Sequence, residues 1–139
     1  MYKDLDYYLK EFIGEDWYEV ACQCAETILE KFSDEDWENL FDELHTKDSA
    51  WKIRLVYCIE PSMGLNGFNL LIRLVNDNDN EVVEYVLDSL RSFNTKEYHQ
   101  KISGNLEIIE KAQDLLENTT SLPVQTVLKH FLKLYNDNA

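Results

Sequence analysis

Basic residues are scarce in this chain, and their scarcity limits what the protein can bind. The sequence has 13 lysines and arginines against 27 aspartates and glutamates, which gives a formal net charge of −14. Proteins that bind nucleic acids or anionic membranes hold the phosphate groups with lysine and arginine. We therefore expect no nucleic-acid partner and no membrane partner. A strongly acidic surface instead attracts basic proteins and speeds their association.

Glycine, cysteine and long apolar runs are also rare. The four glycines are scattered, so the sequence has no glycine-rich phosphate loop. No window approaches the roughly 18 apolar residues of a membrane span, and the charged start MYKDLDYYLK is unlike a secretory signal. Cys22, Cys24 and Cys58 are an odd number of cysteines in a chain too long to depend on disulfides. These features predict a cytoplasmic protein with reduced thiols.

Helical periodicity dominates what is present. Apolar residues recur at spacings of three and four along the chain, and no segment alternates convincingly with period two. The residues SFNTKEYHQKISGN, 92–105, are expected to be a polar connection. The pattern predicts an all-α protein with one domain over residues 1–139. Turn signals separate eight predicted helices, at about 4–13, 15–32, 34–45, 49–60, 66–76, 80–93, 105–118 and 122–136.

The second helix of each successive pair repeats one pattern. An apolar anchor is followed by packed positions four, seven and eight residues later, and we expect every anchor to be buried. The anchors are Trp17, Trp51, Val82 and Val124. A turn or capping residue stands three residues before each anchor, and Asp or Ser there can accept hydrogen bonds from the first helical amides. These residues are Gly14, Asp48, Asp79 and Ser121.

The unit Leu70–Leu90 resembles a HEAT repeat, a helix pair with an Asp/Asn turn and small residues in its second helix. The resemblance covers most of the chain as four imperfect units. It implies a short HEAT-like α-α superhelix of about four helix pairs. HEAT units usually carry arginine directly after the anchor. Because this chain has other residues there, we do not expect the usual ladder of Asp–Arg pairs; they are Tyr18, Lys52, Val83 and Gln125.

We expect no metal, no cofactor and no catalytic residue. Cys22 and Cys24 are two residues apart on a helix, about 200° around its axis, so they cannot face one ion. Cys24 and Cys58 both fall seven residues after an anchor, a packed position. The Asp-rich turn before Val82 is similar to a calcium loop, but Val82 stands where such a loop needs glycine.

The outward positions of the second helices remain as a candidate binding surface. Residues two, six and nine positions after each anchor do not pack within the repeat, and they would line a concave face. Tyrosines on this face would provide aromatic contacts of the kind that dominate interfaces. The alternative is a merely hydrated acidic face. The predicted partner-binding residues at these positions are Glu19, Gln23, Glu26, Tyr57, Glu60, Glu84 and Asp88. Arg54 and Tyr85, three residues after their anchors, are predicted to belong to the same surface.

A compact, acidic, helical array without catalytic groups is similar to the HEAT-like immunity proteins of bacterial toxin systems. The similarity is one of class and charge. It implies a monomer that binds and neutralises a cognate toxin, often a basic nuclease. The alternative is a HEAT-like adaptor or assembly scaffold for a cellular protein, whose binding would depend less on salt. An enzyme is not expected, because HEAT-like DNA glycosylases need a basic groove.

Overall fold

In the part of the chain that the structure describes, the main elements are α-helices. The computed structural model describes residues 1–10 and 17–136, without the side chains of residues 18 and 19. Over these residues the chain forms no β-strand, which confirms the all-α class. The helices are α1 (Tyr2–Lys10), α2 (Cys22–Glu30), α3 (Asp34–Glu43), α4 (Ser49–Cys58), α5 (Gly64–Leu74), α6 (Asn80–Leu90), α7 (Lys96–Ser103), α8 (Leu106–Asn118) and α9 (Leu122–Tyr135). A π-helical turn, Trp17–Ala21, leads into α2, and 3₁₀ turns occupy Leu44–Thr46 and Pro61–Met63.

Side-chain caps begin several of these helices, as the sequence predicts. The backbone amide of Trp51 donates to Asp48 Oδ1 at 2.9 Å, and the amide of Glu81 donates to Asp79 Oδ1 at 2.9 Å. Ser121 Oγ accepts from the third amide of α9 at 3.4 Å. These contacts satisfy amides that have no partner within the helix. The turn expected at Gly14 lies outside the described residues.

One helix was not predicted. Residues 92–105 were expected to form a polar connection, but they contain α7. Thr95 caps this helix by accepting a hydrogen bond from the amide of Tyr98 at 3.5 Å. Only Ile102 of α7 is fully buried, while the ring of Tyr98 packs edge-on against Phe93 with centroids 5.1 Å apart. Because a helix with so few buried residues has only a weak helical periodicity of apolar residues, the sequence pattern does not reveal it.

The helices form two compact units, Met1–Leu70 and Leu71–Ala139, and the boundary lies within α5. In the first unit, α1 packs against α2, α3 and α4, and α2 also packs against α4. In the second unit, α9 packs against α6, α7 and α8. The single HEAT-like domain and its superhelical winding stay predictions.

Three of the four predicted anchors lie in the cores of these units. Trp17, Trp51 and Val82 are 1%, 4% and 0% exposed. Val124 is only half-buried, so the expectation that it is a fully buried anchor is wrong. The next residues in its pattern, Leu128 and Phe131, are buried, so α9 has the predicted apolar face. Val124 differs because part of its side chain lines an open groove beside α6.

Candidate partner-binding groove

Two helices of the second unit, α6 and α9, enclose an open groove of about 320 Å³. One wall is formed by α6, which is the second helix of the predicted HEAT-like repeat Leu70–Leu90, and the other wall is formed by α9. The groove combines carboxylates with apolar side chains. Its lining residues are Glu81, Glu84, Tyr85, Asp88, Pro123, Val124, Val127 and Leu128.

The rotation of α6 places the carboxylates in the groove. The buried side of α6 consists of apolar residues that fix how the helix turns: Val82, Val83, Val86, Leu87 and Leu90. Glu81, Glu84 and Asp88 follow one another at spacings of three and four, so they share one face of the helix. Tyr85 lies beside them and is 39% exposed.

The opposite wall, from α9, is apolar. Pro123 stands in the first turn of this helix, where its missing amide hydrogen costs nothing. Val124 and Val127 are half-buried, and Leu128 is 1% exposed. The apolar stripe of α9 therefore serves two purposes. Its inner residues fill the core, and its edge faces the carboxylates of α6.

The carboxylates of α6 are crowded by like charges. Burial raises the pKa of Glu84, and the neighbouring carboxylates of Glu81 and Asp79 raise it further. A half-buried carboxylate surrounded in this way is poorly solvated when ionised. A cation that entered the groove would therefore stabilise the ionised form of Glu84.

Asp88 differs from the other two acids because it has a cation of its own. Arg91 pairs with the Asp88 carboxylate through Nη2, and its Nη1 donates to Nδ1 of His130 at 2.7 Å. Arginine has only donors, so Nδ1 of His130 must be the unprotonated acceptor. The charge at this end of the groove is partly neutralised, and Glu81 and Glu84 provide the main negative charge of the α6 wall.

The predicted site residues in the first unit form a different group. Gln23, Tyr57 and Glu60 are exposed and Glu26 is half-buried. Partial desolvation of its carboxyl group raises the pKa of Glu60, and the charges of Glu26 and Glu30 raise it further. This is an acidic area, and none of these residues lines the groove between α6 and α9. The side chain of Glu19 lies outside the described part of the chain.

Arg54 has contacts within the first unit that give it a structural role. Its Nη1 donates to the backbone carbonyl of Leu9 at 2.7 Å, at the last turns of α1. Its guanidinium also lies 6.0 Å from the ring centroid of Trp17. Arg54 therefore ties α4 to α1. Its assignment as a partner-binding residue stays a prediction that these contacts do not favour.

The structure thus brings together three predicted site residues, Glu84, Tyr85 and Asp88, in one groove. It adds Glu81 on the same wall and the apolar wall of α9, which the sequence reasoning missed. The repeat pattern predicts that Val124 and Leu128 are core residues, because hydrophobic periodicity does not distinguish a core position from the edge of a groove. Pro123 and Val127 gave no separate signal.

Other proteins give no further guidance to the role of the groove. Comparison of the chain with known protein families, curated proteins and solved structures finds no match. Within the described ranges, no three His, Cys, Asp or Glu side chains are grouped so that they could hold a metal ion. No helix in residues 1–10 and 17–136 is long and apolar enough to cross a bilayer.

Proposed function

We propose that the protein is an acidic protein-binding module whose α6–α9 groove receives a basic, amphipathic segment of a partner protein. The observation that carries this proposal is the pairing of a carboxylate wall with an apolar wall across one groove. A segment with lysine or arginine on one side and apolar residues on the other matches both walls. Helix-in-groove recognition uses such an arrangement.

The energetics favour a cationic occupant over a neutral one. Glu84 is half-buried and lies near other acids, so its ionised form is destabilised in the empty groove. A partner cation beside Glu84 and Glu81 would relieve that repulsion, and the net charge of −14 would increase the rate of encounter. Apolar contacts with Val124 and Val127 would add affinity that salt does not screen.

The partner class is proposed from charge and from the similarity to HEAT-like immunity proteins. We propose a cytoplasmic module that neutralises a basic toxin, with a nuclease-type toxin as the first candidate. Carboxylates held in a row can occupy a groove that a nuclease uses for phosphates. The alternative, an adaptor for a cellular protein, would depend mainly on the apolar wall.

A designed peptide tests the groove directly. The probe is a synthetic helix with lysines on one face and leucines on the other, and its control has glutamates in place of the lysines. We expect the basic peptide to bind, and to shift backbone NMR signals of α6 and α9 first. Shifts confined to other helices, or equal binding of the acidic peptide, would contradict the proposed site.

A pair of charge reversals supplies the matched control. Glu84→Lys should weaken binding of the basic peptide at least about tenfold, because it replaces an attraction by a repulsion inside the groove. Glu110→Lys changes the net charge equally at an exposed position of α8 outside the groove lining. Its effect should be about twofold or less. Equal losses in both variants would mean that overall charge, and no particular groove, drives binding.

Salt separates the two partner classes once a natural partner is captured from the source cell. The affinity for a basic toxin should fall steeply as salt is added, because exposed charges are screened within about 10 Å at 0.1 M. The affinity of an adaptor for its cellular partner should change little over the same range of salt. A salt-insensitive partner would contradict the toxin proposal and leave the apolar wall as the main contact.

A further inference from the structure

Two buried cysteines meet in the first unit. Cys22 begins α2 and Cys58 ends α4, and their Sγ atoms are 3.5 Å apart across a sequence separation of 36 residues. Cys22 is 3% exposed and Cys58 is not exposed at all. The third thiol, Cys24, is half-buried and is not part of this contact. The pair therefore differs from the packed cysteines that the repeat pattern predicted, which were Cys24 and Cys58.

The protons of the two thiols have different acceptors. Cys22 donates to Oε1 of Glu26 at 3.4 Å, so a carboxylate stands ready to take its proton. Cys58 faces Cys22, with the Cys22 carbonyl oxygen 3.9 Å from its Sγ. The hydrogen bond with Cys22 raises the pKa of Cys58, and burial and nearby negative charge raise it further. Cys58 therefore stays a neutral thiol, and Cys22 is the thiol that can react first.

We propose that Cys22 and Cys58 form an oxidisable dithiol site, which a peroxide converts into a disulfide between α2 and α4. In the first step the Cys22 sulfur attacks one oxygen of hydrogen peroxide and the O–O bond breaks. The Cys22 proton passes by way of Glu26 to the leaving oxygen, so a sulfenic acid and water form. In the second step the Cys58 thiol passes its proton to the hydroxyl of the Cys22 sulfenic acid as the Cys58 sulfur attacks the Cys22 sulfur. The S–O bond breaks, water leaves, and the S–S bond forms. The two thiols lose two electrons, and the peroxide gains them.

The geometry needs only a small movement for this bond. A disulfide brings its sulfurs to about 2.05 Å, so the pair must close by roughly 1.5 Å. Both residues stand at helix ends, where such a movement disturbs little of the helix. The bond would close a loop from the beginning of α2 to the end of α4, and this would restrict the unfolded chain.

The test uses the folded Cys24→Ser protein, in which the pair is the only source of thiols. After graded hydrogen peroxide, an alkylating reagent labels the thiols that remain, and intact mass is measured. We expect a product that is lighter by two hydrogen atoms, takes up no reagent, and regains both labels after reduction. The midpoint of thermal unfolding should rise by roughly 5–10 °C in this product.

Two further variants probe the order of the steps. In Cys58→Ser, the disulfide cannot form, and a sulfenic acid on Cys22 should be trapped by dimedone. Glu26→Gln should slow disulfide formation severalfold, because the acceptor for the Cys22 proton is weaker. The proposal is overturned if both thiols of the Cys24→Ser protein remain labelled at peroxide doses that leave the fold intact. A product linked between two molecules would overturn it as well.

Discussion

Replacing Asp6 with alanine should destabilise the first unit, because one oxygen of its carboxylate joins α1 to α4. Oδ1 of Asp6 accepts a hydrogen bond from the indole Nε1 of Trp51 at 2.9 Å. The same oxygen accepts from the ammonium of Lys47 at 3.1 Å, just before α4 begins. Trp51 is 4% exposed, so its indole N–H has no easy access to water once the carboxylate is removed.

The magnitude follows from these two contacts. A hydrogen bond to a charged group contributes about 1.5–3 kcal/mol, most of it lost when the buried donor is left unpaired. The Lys47–Asp6 pair adds about 0.5–1 kcal/mol, because the two side chains remain 17% and 27% exposed. We therefore expect Asp6→Ala to lower the free energy of unfolding by about 2–4 kcal/mol. Asp6→Asn keeps an oxygen acceptor and should cost roughly half as much.

Urea unfolding followed by far-ultraviolet circular dichroism measures both variants. Asp4→Ala is the matched control, since Asp4 is an exposed acid on the same helix and should change stability by about 0.5 kcal/mol or less. A double-mutant cycle with Lys47→Met separates the ion pair from the indole hydrogen bond. A loss below about 0.5 kcal/mol in Asp6→Ala would refute the reasoning, and so would equal losses in the alanine and asparagine variants.

The second unit gives two further predictions. Leu90→Ala leaves a cavity at a fully buried position and should lower the free energy of unfolding in urea by about 2–5 kcal/mol. The control Leu122→Ala, at a residue that is 73% exposed, should lower it by about 0.5 kcal/mol or less. Similar losses in the two variants would contradict the packing of α6. The pKa of Glu84 is raised, so this residue gains a proton at a higher pH than an ordinary glutamate does. During acidification, the affinity for the basic peptide should therefore fall at a higher pH than an ordinary glutamate would give. Glu84→Gln should remove that component of the pH profile, and an unchanged profile in titration calorimetry would exclude Glu84 from the contact.

The same shift has a consequence for the stability of the free protein. The folded state holds the Glu84 proton more tightly than the unfolded state, because burial and neighbouring acids oppose ionisation. Its contribution to stability is therefore present below the unfolded pKa and is lost as the pH rises through the folded pKa. At neutral pH the ionised Glu84 side chain slightly lowers the free energy of unfolding. Carboxylates whose pKa is perturbed by burial and neighbouring charge cluster at functional sites.

Most of the local structure could be predicted from the sequence because its causes are local. The capping residues Asp48, Asp79 and Ser121 act on amides only two or three residues away. Three residues of the α6 wall, Glu84, Tyr85 and Asp88, could also be predicted, since the apolar residues on one side of a helix determine which residues face away from the core. The α9 wall could not, because the exposure of Val124 depends on how far α9 stands from α6. The distance between α6 and α9 is set by tertiary packing, and the periodicity of the sequence carries no information about it.

The dithiol shows how a small local irregularity changes a site. Counting in regular helical steps from Trp17 puts Cys24 at a packed position and turns Cys22 away from it. The π-helical turn Trp17–Ala21 holds more residues per turn than an α-helix, so it shifts the rotation of the residues that follow. The buried residues at this junction are Ala21, Cys22, Ala25 and Leu29, and Cys24 is left half-buried. Because of that shift Cys22, and not Cys24, reaches Cys58, so a change that restored a regular helix there should separate the two thiols and abolish the disulfide.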